Sequence, residues 1–330
     1  MTTICFAFSQ VSNGVTFHRL QSPGWAFERE REYNVVRAAD IAMVPFQQWE
    51  NIDVVVVSRL ASHLPGRNRE AIDAVKVAGT TLVVDIDDSL QMPSYHPNYQ
   101  AWKRDRTKQD IMETLAAADV IWCSTLPLMD ELQKLGHGHK AVHVPNTLSR
   151  YDLQWKGLEK TPSDVLRIGV MANLSHHFNL ALLKPVVEQL RHMQGWKLYV
   201  MGVTDGAQAD KVVELLGTKN VAFVSMALAT SYAQAYNHID LMLCPLQHIA
   251  FNRCRSNIKV LECAASRTAI MAEPYGPYED LNQPIDAELI KACIADRAKL
   301  QSLVPAYESA FIDRHELRLN SLLTNSTVIE

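Results

Sequence analysis

A chain of 330 residues is longer than one hydrophobic core comfortably supports, so its length favours two domains of roughly 150 residues each. Hydrophobic residues make up 48% of the sequence and charged residues 21%, which excludes a disordered chain. A formal net charge of −4 excludes a surface that is basic throughout, although it permits a local basic strip.

The cysteines and the N-terminus give no indication of export. The six cysteines are scattered, with no CxxC pair and no histidine at zinc-finger spacing, so we expect neither a disulfide framework nor a structural metal. The first residues, MTTICFAFSQ, lack the basic start and the long apolar run of a signal peptide, and no window reaches the roughly 18 apolar residues of a membrane span. The sequence therefore predicts a cytoplasmic protein without a membrane span.

The first half of the chain alternates short apolar runs with amphipathic segments. Runs that are rich in β-branched residues and too short for helices predict buried parallel strands. These runs are residues 3–8, 53–58, 80–88, 118–124 and 141–144. The segments GRNREAIDAVKVAG and QDIMETLAAA predict crossover helices. A helix is also predicted from Pro23, and the stretch EREREY is interpreted as helical.

The pattern restarts after the polar stretch PNTLSRYDLQWKGLEKTPSD, which indicates a linker because Pro145 and Pro162 interrupt it. A second set of strands is predicted at residues 165–173, 196–202, 221–224, 239–246 and 268–273. After Pro277, helices continue to the C-terminus. Two successive series of this kind predict an α/β protein with two doubly wound, Rossmann-like domains, and the ligand site is expected in a cleft where these domains face each other.

The stretch FNRCRSNIKVLECAA combines a helix start with two cations. Its apolar residues share one helical face, so Ser256 or Asn257 is expected at the N-cap. Free amides at a helix N-terminus attract anions, and Arg255 and Lys259 add positive charge at the same place. A diphosphate is therefore the expected ligand of this turn.

Glu262 lies inside the same predicted helix, where its carboxylate is placed to accept hydroxyls of a ribose attached to that diphosphate. An alternative is open as well. Arg255 and Lys259 would then form a solvated face, and Glu262 would pair with one of them along the helix.

The N-terminal loop and a second strand end supply further candidates. In SQVSNGVTFHRLQSP a glycine-containing loop follows the first strand, which makes Asn13, Gly14 and Arg19 candidate ligand contacts. Arg19 has an alternative partner in an acidic residue of EREREY. Arg59 also ends a strand, in VVVVSRL, and is a further candidate.

The segment FNRCRSNIKVLECAASRTAIMAEPYGPY resembles the donor site of retaining glycosyltransferases of the family 4 type, especially a short subgroup common in phage and bacterial genomes. VVDIDDSL, ADVIWCSTLPLMDEL, VHVPNTL and RIGVMANLSHHFNL agree with that subgroup in the same order, so the resemblance covers most of the chain. It implies the GT-B architecture. The Rossmann-like acceptor-side domain would comprise residues 1–150, and the nucleotide-sugar donor domain with its C-terminal helices would comprise residues 151–330.

The resemblance also implies donor contacts, residue by residue. Glu262 matches the second glutamate of the family's E-x7-E motif, which holds the donor ribose. The first glutamate of that motif falls at Cys254, which leaves the identity of the transferred sugar open. The residues that match the phosphate-holding turn and the segment before it are Asn252, Arg255, Ser256, Asn257 and Lys259.

The first loop of the second domain, NLSHH, carries Asn173 and His176 where better-known members have an arginine and a lysine against the diphosphate. His176 matches a histidine of the subgroup, and we expect it to contact a phosphate or a sugar hydroxyl. The alternative is that Ser175 caps a helix and His176 is merely exposed.

The predicted strand at 80–88 ends with three aspartates, Asp85, Asp87 and Asp88. Like charges this close repel one another, so the cluster indicates a functional role. Three uses are open: holding a divalent metal, orienting the acceptor hydroxyl, or capping the following turn. GT-B enzymes generally use helix dipoles and basic side chains in place of a metal. The resemblance therefore favours acceptor orientation by Asp87 or Asp88 and no metal site.

The function implied is transfer of a hexosyl or pentosyl group from a nucleotide sugar, a UDP-sugar, to an acceptor hydroxyl, with retention of configuration and without a metal or other cofactor. Arg255 and Lys259 are expected to stabilise the departing diphosphate, so that no protein nucleophile is needed. Two alternatives stay open. One is a non-catalytic sugar-nucleotide-binding protein, suggested by Cys254, and the other is a sugar-nucleotide epimerase of the same fold.

Residues 94–110, SYHPNYQAWKRDRTKQD, interleave aromatic and basic side chains, a pattern typical of surfaces that hold a phosphodiester backbone and stack on a base. Enzymes of the phage-like subgroup include some that glycosylate hydroxymethylated bases in viral DNA, which requires the base to leave the stack. Modified DNA is therefore one predicted acceptor, in the host cytoplasm if a phage encodes the chain. A surface glycan, a lipid or a protein is the alternative acceptor.

Overall fold

The chain folds into two compact units. The computed structural model describes residues 1–8, 14–29, 33–96, 99–104, 106–171, 177–203, 205–224, 228–312 and 314–326. Unit 1 comprises Met1–Tyr151, Cys254–Ser256 and Asp313–Glu330, and unit 2 comprises Asp152–Arg253 and Asn257–Ile312. Cys254–Ser256 thus belong with the first half of the chain, apart from the residues that flank them in sequence. The assignment of the acceptor to the first domain and of the donor to the second stays a prediction.

Unit 1 contains a parallel sheet. Its described strands are β1 (Thr2–Ala7), β2 (Tyr33–Ala38), β3 (Val54–Ser58), β4 (Thr81–Ile86), β5 (Val120–Cys123) and β6 (Ala141–His143). They are ordered β2-β1-β3-β4-β5-β6, so the direction of winding reverses between β1 and β3. Strands β3 and β5 are buried along their whole length because helices cover both faces of a parallel sheet.

The helices of unit 1 follow the amphipathic segments of the sequence. They are α1 (Gly14–Thr16), the π-helical turn Phe17–Gln21, α2 (Ser22–Phe27), α3 (Phe46–Trp49), α4 (Asn68–Ala78), α5 (Tyr99–Arg104), α6 (Thr107–Ala117) and α7 (Leu126–Lys134), with 3-10 turns at Ile41–Met43 and Gly138–Lys140. Helix α4 ends where Gly79 takes up a left-handed conformation with φ of 70°.

Unit 2 contains the second parallel sheet. Its described strands are β7 (Leu166–Met171), β8 (Trp196–Met201), β9 (Val221–Val224), β10 (Leu241–Cys244) and β11 (Ala269–Ala272). Their order, β11-β10-β7-β8-β9, reverses between β7 and β10. In doubly wound sheets this reversal, at the carboxyl ends of the two strands, is where ligands bind.

From Pro277 onward the described residues form helices and turns without a strand, as predicted. The helices of unit 2 alternate with its strands. They are α8 (His177–Leu180), α9 (Lys184–Leu190), α10 (Gly206–Leu216), α11 (Ala250–Arg253), α12 (Ile258–Ala265) and α13 (Ala287–Ala295), with 3-10 turns at Leu153–Trp155, Ala181–Leu183, Tyr232–His238, Gly276–Leu281, Arg297–Leu303 and Tyr307–Phe311. The last helix, α14 (His315–Ser326), belongs to unit 1, where Trp122 Nε1 donates to Ser321 Oγ at 2.8 Å.

All ten predicted strands are confirmed, but β2 was not predicted. EREREY was interpreted as helical, but none of its described residues, 28, 29 and 33, is in a helix, because α2 ends at Phe27 and Tyr33 begins β2. Strand β2 lies at the edge of its sheet and is half-exposed, so it lacks the continuous apolar run that marks a buried strand.

No helix among the described residues is both long enough and apolar enough to cross a membrane.

Replacing Gly169 by alanine is expected to lower the free energy of unfolding by about 1–3 kcal/mol, the usual cost of overpacking a core. Gly169 lies in β7, and a Cβ atom there would come within 2.6 Å of Cγ2 of the buried Ile239. The matched control is Gly206→Ala, where the new Cβ would meet nothing within 4 Å. Urea denaturation measures both variants, and equal stability would contradict the close packing of β7 against Ile239.

Candidate active site

Helix α12 carries the candidate site of unit 2. It follows β10, and Asn257 occupies its N-cap position, as one of the two predicted caps. The Asn257 side chain does not cap a helix amide, so the positive end of the helix is not shielded by that residue. Residues 261–265 of this helix, which include Glu262, are all buried.

Glu262 is almost fully buried and is held by three donors on one carboxylate oxygen. Its Oε2 accepts from Tyr236 Oη at 2.5 Å, from Lys259 Nζ at 2.6 Å and from Tyr232 Oη at 3.4 Å. Lys259 Nζ also donates to Tyr232 Oη at 2.8 Å. Glu262 therefore pairs with Lys259 along the helix, as one interpretation had it, but in a buried cluster rather than on a solvated face.

Charge within this cluster is fixed by its surroundings. Burial lowers the pKa of Lys259, but the Glu262 carboxylate and the Tyr232 hydroxyl outweigh it and hold that pKa above its ordinary value. Burial and the Glu262 carboxylate raise the pKa of Tyr232 and of Tyr236. Lys259 therefore stays charged at neutral pH, and both phenols keep the hydrogens that they donate.

The cluster lies where the sheet of unit 2 reverses. Tyr232 Oη is 3.7 Å from Sδ of Met171, the last residue of β7. Lys259 and Glu262 act electrostatically on the thiol of Cys244, the last residue of β10. An ammonium and a carboxylate are thus fixed at the edge where this fold binds ligands.

The turn before α12 is anchored in unit 1. The thiol of Cys254 lies 3.6 Å from Oε2 of the buried Glu131, and Thr125 Oγ1 donates to the Cys254 carbonyl at 2.9 Å. Glu131 also accepts from Ser89 Oγ at 2.7 Å and from Leu90 N at 2.9 Å. A glutamate at position 254 would bring a second carboxylate against Glu131, and this repulsion gives a reason for the cysteine.

Arg255 and Ser256 also have neighbours in unit 1. Ser256 Oγ accepts from Asn146 Nδ2 at 2.7 Å. Burial raises the pKa of Asp88, but Arg59 and Arg255 outweigh it and lower that pKa. Burial lowers the pKa of His96, and Arg255 adds to this effect.

The three aspartates at the end of β4 are paired with arginines. Asp85 accepts from Arg19, Asp87 accepts from Arg59 Nε at 2.9 Å, and Asp88 accepts from Arg59 Nη2 at 2.9 Å. The pairing explains how like charges are tolerated at one strand end. No group of three His, Cys, Asp or Glu side chains within the described ranges is arranged to hold a metal ion.

Arg59 has an unusual backbone as well as a paired side chain. Its φ is 64°, in the left-handed region that residues other than glycine seldom adopt. Its amide donates to the Asp85 carbonyl at 3.0 Å, and its guanidinium is held by Asp87 and Asp88. These contacts maintain a strained residue at the carboxyl end of β3, and such strain often marks functional sites.

Arg19 is fully buried and pairs with Asp85, whereas Glu28, the one described acid of EREREY, pairs with Arg37. Gly14 is exposed at the start of α1, with open space where a Cβ would stand. Asn252 is buried, and its Nδ2 donates to the Gln247 carbonyl at 2.9 Å and to Asn179 Oδ1 at 3.4 Å, which organises the loop before α11. The candidates outside the described residues are Asn13, Asn173 and His176.

Sequence reasoning missed four polar side chains around these candidates: Tyr232, Tyr236, Glu131 and Asn146. A pair of tyrosines four residues apart, in YAQAY, was the available signal for the first two. Asn146 lies in VHVPNTL, which the resemblance had marked without giving this residue a role. Glu131 carried no signal, because a glutamate in an amphipathic helix is usually exposed.

The likeness to known proteins is one of structure. No protein-family model and no curated protein matches the chain. Sucrose-phosphate synthase from Thermosynechococcus elongatus is 13% identical, with a TM-score of 0.62 and coverage of 100% of both chains. An alpha-glucosyltransferase in complex with UDP is 11% identical, with a TM-score of 0.63 and coverage of 99% of this chain and 100% of that one.

A third similar structure has another activity. UDP-GlcNAc 2-epimerase from Neisseria meningitidis, bound to UDP-GlcNAc, is 9% identical, with a TM-score of 0.56 and coverage of 98% of this chain and 100% of that one. The chain has the GT-B fold. The predicted fold class is thereby confirmed, whereas the family 4 type and the phage subgroup stay predictions because such low identity shows the fold alone.

Arg19→Met is expected to lower the free energy of unfolding by about 3–5 kcal/mol, since Asp85 would stay buried without its cation. The control is Arg69→Met, whose ion pair with Asp73 is exposed and contributes at most about 1 kcal/mol. Guanidinium denaturation of the two variants and the parent checks the difference. Similar losses in both variants would mean that the Arg19 pair behaves like a surface pair.

Proposed function

We propose that this chain is a glycosyltransferase that moves a hexosyl or pentosyl group from a nucleotide sugar to an acceptor hydroxyl. The observation that carries the proposal is the buried cluster of Lys259, Glu262, Tyr232 and Tyr236 at the carboxyl ends of β7 and β10. A UDP-sugar is the proposed donor. The similar structures that contain UDP and UDP-GlcNAc support this choice of nucleotide.

Each side chain of the cluster has a proposed part in binding the donor. Glu262 accepts the ribose hydroxyls, and the tyrosines keep its carboxylate in place. Lys259 already donates to Glu262 and Tyr232, and its ammonium has a further hydrogen for a phosphate oxygen. Asn257 contributes the uncapped start of α12, which favours negative charge.

The proposed chemistry is electrostatic. Lys259 and Arg255 stabilise the diphosphate as the sugar–phosphate bond breaks, and an acceptor hydroxyl attacks the sugar from the face that the diphosphate leaves. A diphosphate oxygen takes the hydroxyl proton, so configuration is retained without a protein nucleophile or a metal. Asp87 or Asp88 orients the acceptor hydroxyl. Asn13, Gly14, Asn173 and His176 stay donor-binding candidates.

The cysteines support a mechanism without a thiolate nucleophile. All six are buried, and none of them is in a disulfide bond. Burial raises the pKa of Cys5 to about 11 and the pKa of Cys123 and of Cys244 to about 12, so these thiols stay protonated at neutral pH.

Incubation with a panel of nucleotide sugars and a mixed pool of hydroxylated acceptors is expected to release a nucleoside diphosphate from one donor, with the sugar transferred at unchanged anomeric configuration. Product release should survive a chelator, because cations of the protein take the place of a metal. Mass spectrometry and NMR of the products measure both. An epimerised sugar without transfer would indicate an epimerase, and binding without turnover would indicate a binding protein.

Lys259→Gln is expected to weaken UDP binding by roughly 1.5–3 kcal/mol, the value of one charge-assisted hydrogen bond. Glutamine removes the charge but retains a donor for Glu262, so the fold should persist. The control is Lys291→Gln, since Lys291 pairs with Glu288 away from the cluster. Calorimetric titration with UDP measures the affinities. Unchanged affinity in Lys259→Gln would remove the lysine from the donor site.

The finer proposal is that the acceptor is a hydroxymethylated base in DNA. Lys103 and Arg104 at the end of α5 are exposed, as are Arg106 and Lys108, which supports a polyanionic acceptor. Tyr95 is 43% exposed, and an exposed aromatic ring is the kind of side chain on which a base stacks. Trp102, another aromatic residue of the stretch 94–110, packs against the core of unit 1 and is therefore less accessible to a base.

Duplex DNA that contains 5-hydroxymethylcytosine is expected to gain the mass of a hexose or pentose when it is incubated with the protein and a nucleotide-sugar pool. Digestion to nucleosides followed by mass spectrometry detects the increment. Lys103→Gln with Arg104→Gln should reduce binding and its salt dependence, whereas Arg69→Gln on α4 should not. No increment, together with DNA binding that these changes leave unaltered, would exclude a DNA acceptor and favour a glycan, lipid or protein.

A further inference from the structure

A chain of hydrogen bonds in unit 1 begins at a buried ion pair and ends on the turn before α12. Asp85 accepts from Arg19 Nε at 3.0 Å and from Arg19 Nη2 at 2.7 Å. Arg19 Nη1 donates to Asn146 Oδ1 at 2.9 Å, and Asn146 Nδ2 donates to Ser256 Oγ at 2.7 Å. This series of hydrogen bonds connects the buried carboxylate of Asp85 to Ser256, a residue of the proposed donor site.

The direction of each bond is set by chemistry. A guanidinium only donates, so Asn146 must turn its carbonyl oxygen towards Arg19. Arg19 Nη1 also donates to the Val144 carbonyl at 2.6 Å, which fixes the guanidinium itself. The amide nitrogen of Asn146 then faces Ser256 and also only donates, so Ser256 Oγ must accept. The hydroxyl hydrogen of Ser256 is therefore directed to an acceptor other than Asn146.

The surroundings of Ser256 favour an anionic acceptor for that hydrogen. Ser256 is only partly buried and directly precedes Asn257, the N-cap residue whose side chain does not cap α12. Ser256 is thus two residues before the first residue of α12, which carries Lys259 in its first turn, and the start of a helix favours negative charge. An oxygen of a diphosphate satisfies these donors.

We propose that Asn146 is a positioning residue for the donor diphosphate. Its amide, oriented by the buried Arg19–Asp85 pair, makes Ser256 a hydrogen-bond donor to a phosphate oxygen. The inference rests on the proposed function and adds to it a residue that acts through Ser256.

The test is Asn146→Asp. The aspartate still accepts from Arg19 but has no N–H for Ser256, so the Ser256 hydroxyl turns to donate to it and presents its lone pairs to the ligand. The parent is first titrated with UDP, ADP, GDP and dTDP, and the tightest of these is the probe. Affinity for this nucleoside diphosphate is expected to fall about tenfold to a hundredfold, the range for one hydrogen bond to a charged group. Affinity for the matching nucleoside should not change.

A double-mutant cycle with Ser256→Ala separates positioning from simple charge repulsion. Because Asn146 acts through the Ser256 hydroxyl, Asn146→Asp should cause little further loss of diphosphate affinity in the Ser256→Ala background. Equal loss in both backgrounds, or an equal loss for the nucleoside, would overturn the inference. Ser256→Thr, which retains the hydroxyl, should retain the affinity for the diphosphate.

Thermal denaturation shows whether each variant is folded at the temperature of the titration. If Asn146→Asp does not fold, Asn146→Ala takes its place in the same cycle. Asn146→Ala is expected to lower the affinity for the diphosphate less than Asn146→Asp does, and to lower it only in the background that retains Ser256. A parent chain that binds none of the nucleoside diphosphates would overturn both the proposed function and this inference. A parent that binds one, with unchanged affinity in the variants, would overturn the inference alone.

Discussion

The buried ion pair between Arg19 and Asp85 organises the carboxyl edge of the unit 1 sheet. Taking both charges out of water is costly, and the cost is offset only because Asp85 receives two guanidinium nitrogens while Val144 and Asn146 satisfy a third. Arg19 lies in a π-helical turn, a geometry that is rare and frequent at functional sites. The pair ties this turn to β4 and, through Asn146, orients the segment that precedes α12.

Three other carboxylates around the candidate site are also paired with cations, although Asp87 and Asp88 are only partly buried and share Arg59. Arg59 holds Asp87 and Asp88, and Lys259 with two tyrosines holds Glu262. Charges fixed in this way need no reorganisation when a charged ligand arrives, which is the condition for electrostatic stabilisation of a departing diphosphate. Perturbed, buried charges of this kind cluster at functional sites more often than on ordinary surfaces.

Cys254 shows how packing restricts the residue type at one position before α12. The side chain at this position points into the core of unit 1 and meets Glu131, whose carboxylate already receives Ser89 and Leu90. A small, weakly donating thiol fits there, and a second carboxylate does not. The position thus serves to anchor the turn, while Glu262, eight residues later by sequence number, retains the buried carboxylate on α12.

The sequence by itself determined the two α/β series, ten strands, the helix at residue 258 and the residues that flank it, because apolar periodicity and helix-start signals are local. It did not determine β2, because an edge strand that is half-exposed lacks a continuous apolar run. It also did not determine the long-range partners of Arg19, Glu262 and Ser256. Those partners are 66, 26 and 110 residues away, at Asp85, Tyr236 and Asn146. Only the tertiary structure, in which the sheets set the order of the strands, brings such residues together. The local pattern of apolar and polar residues along the sequence does not reveal which distant residues become neighbours.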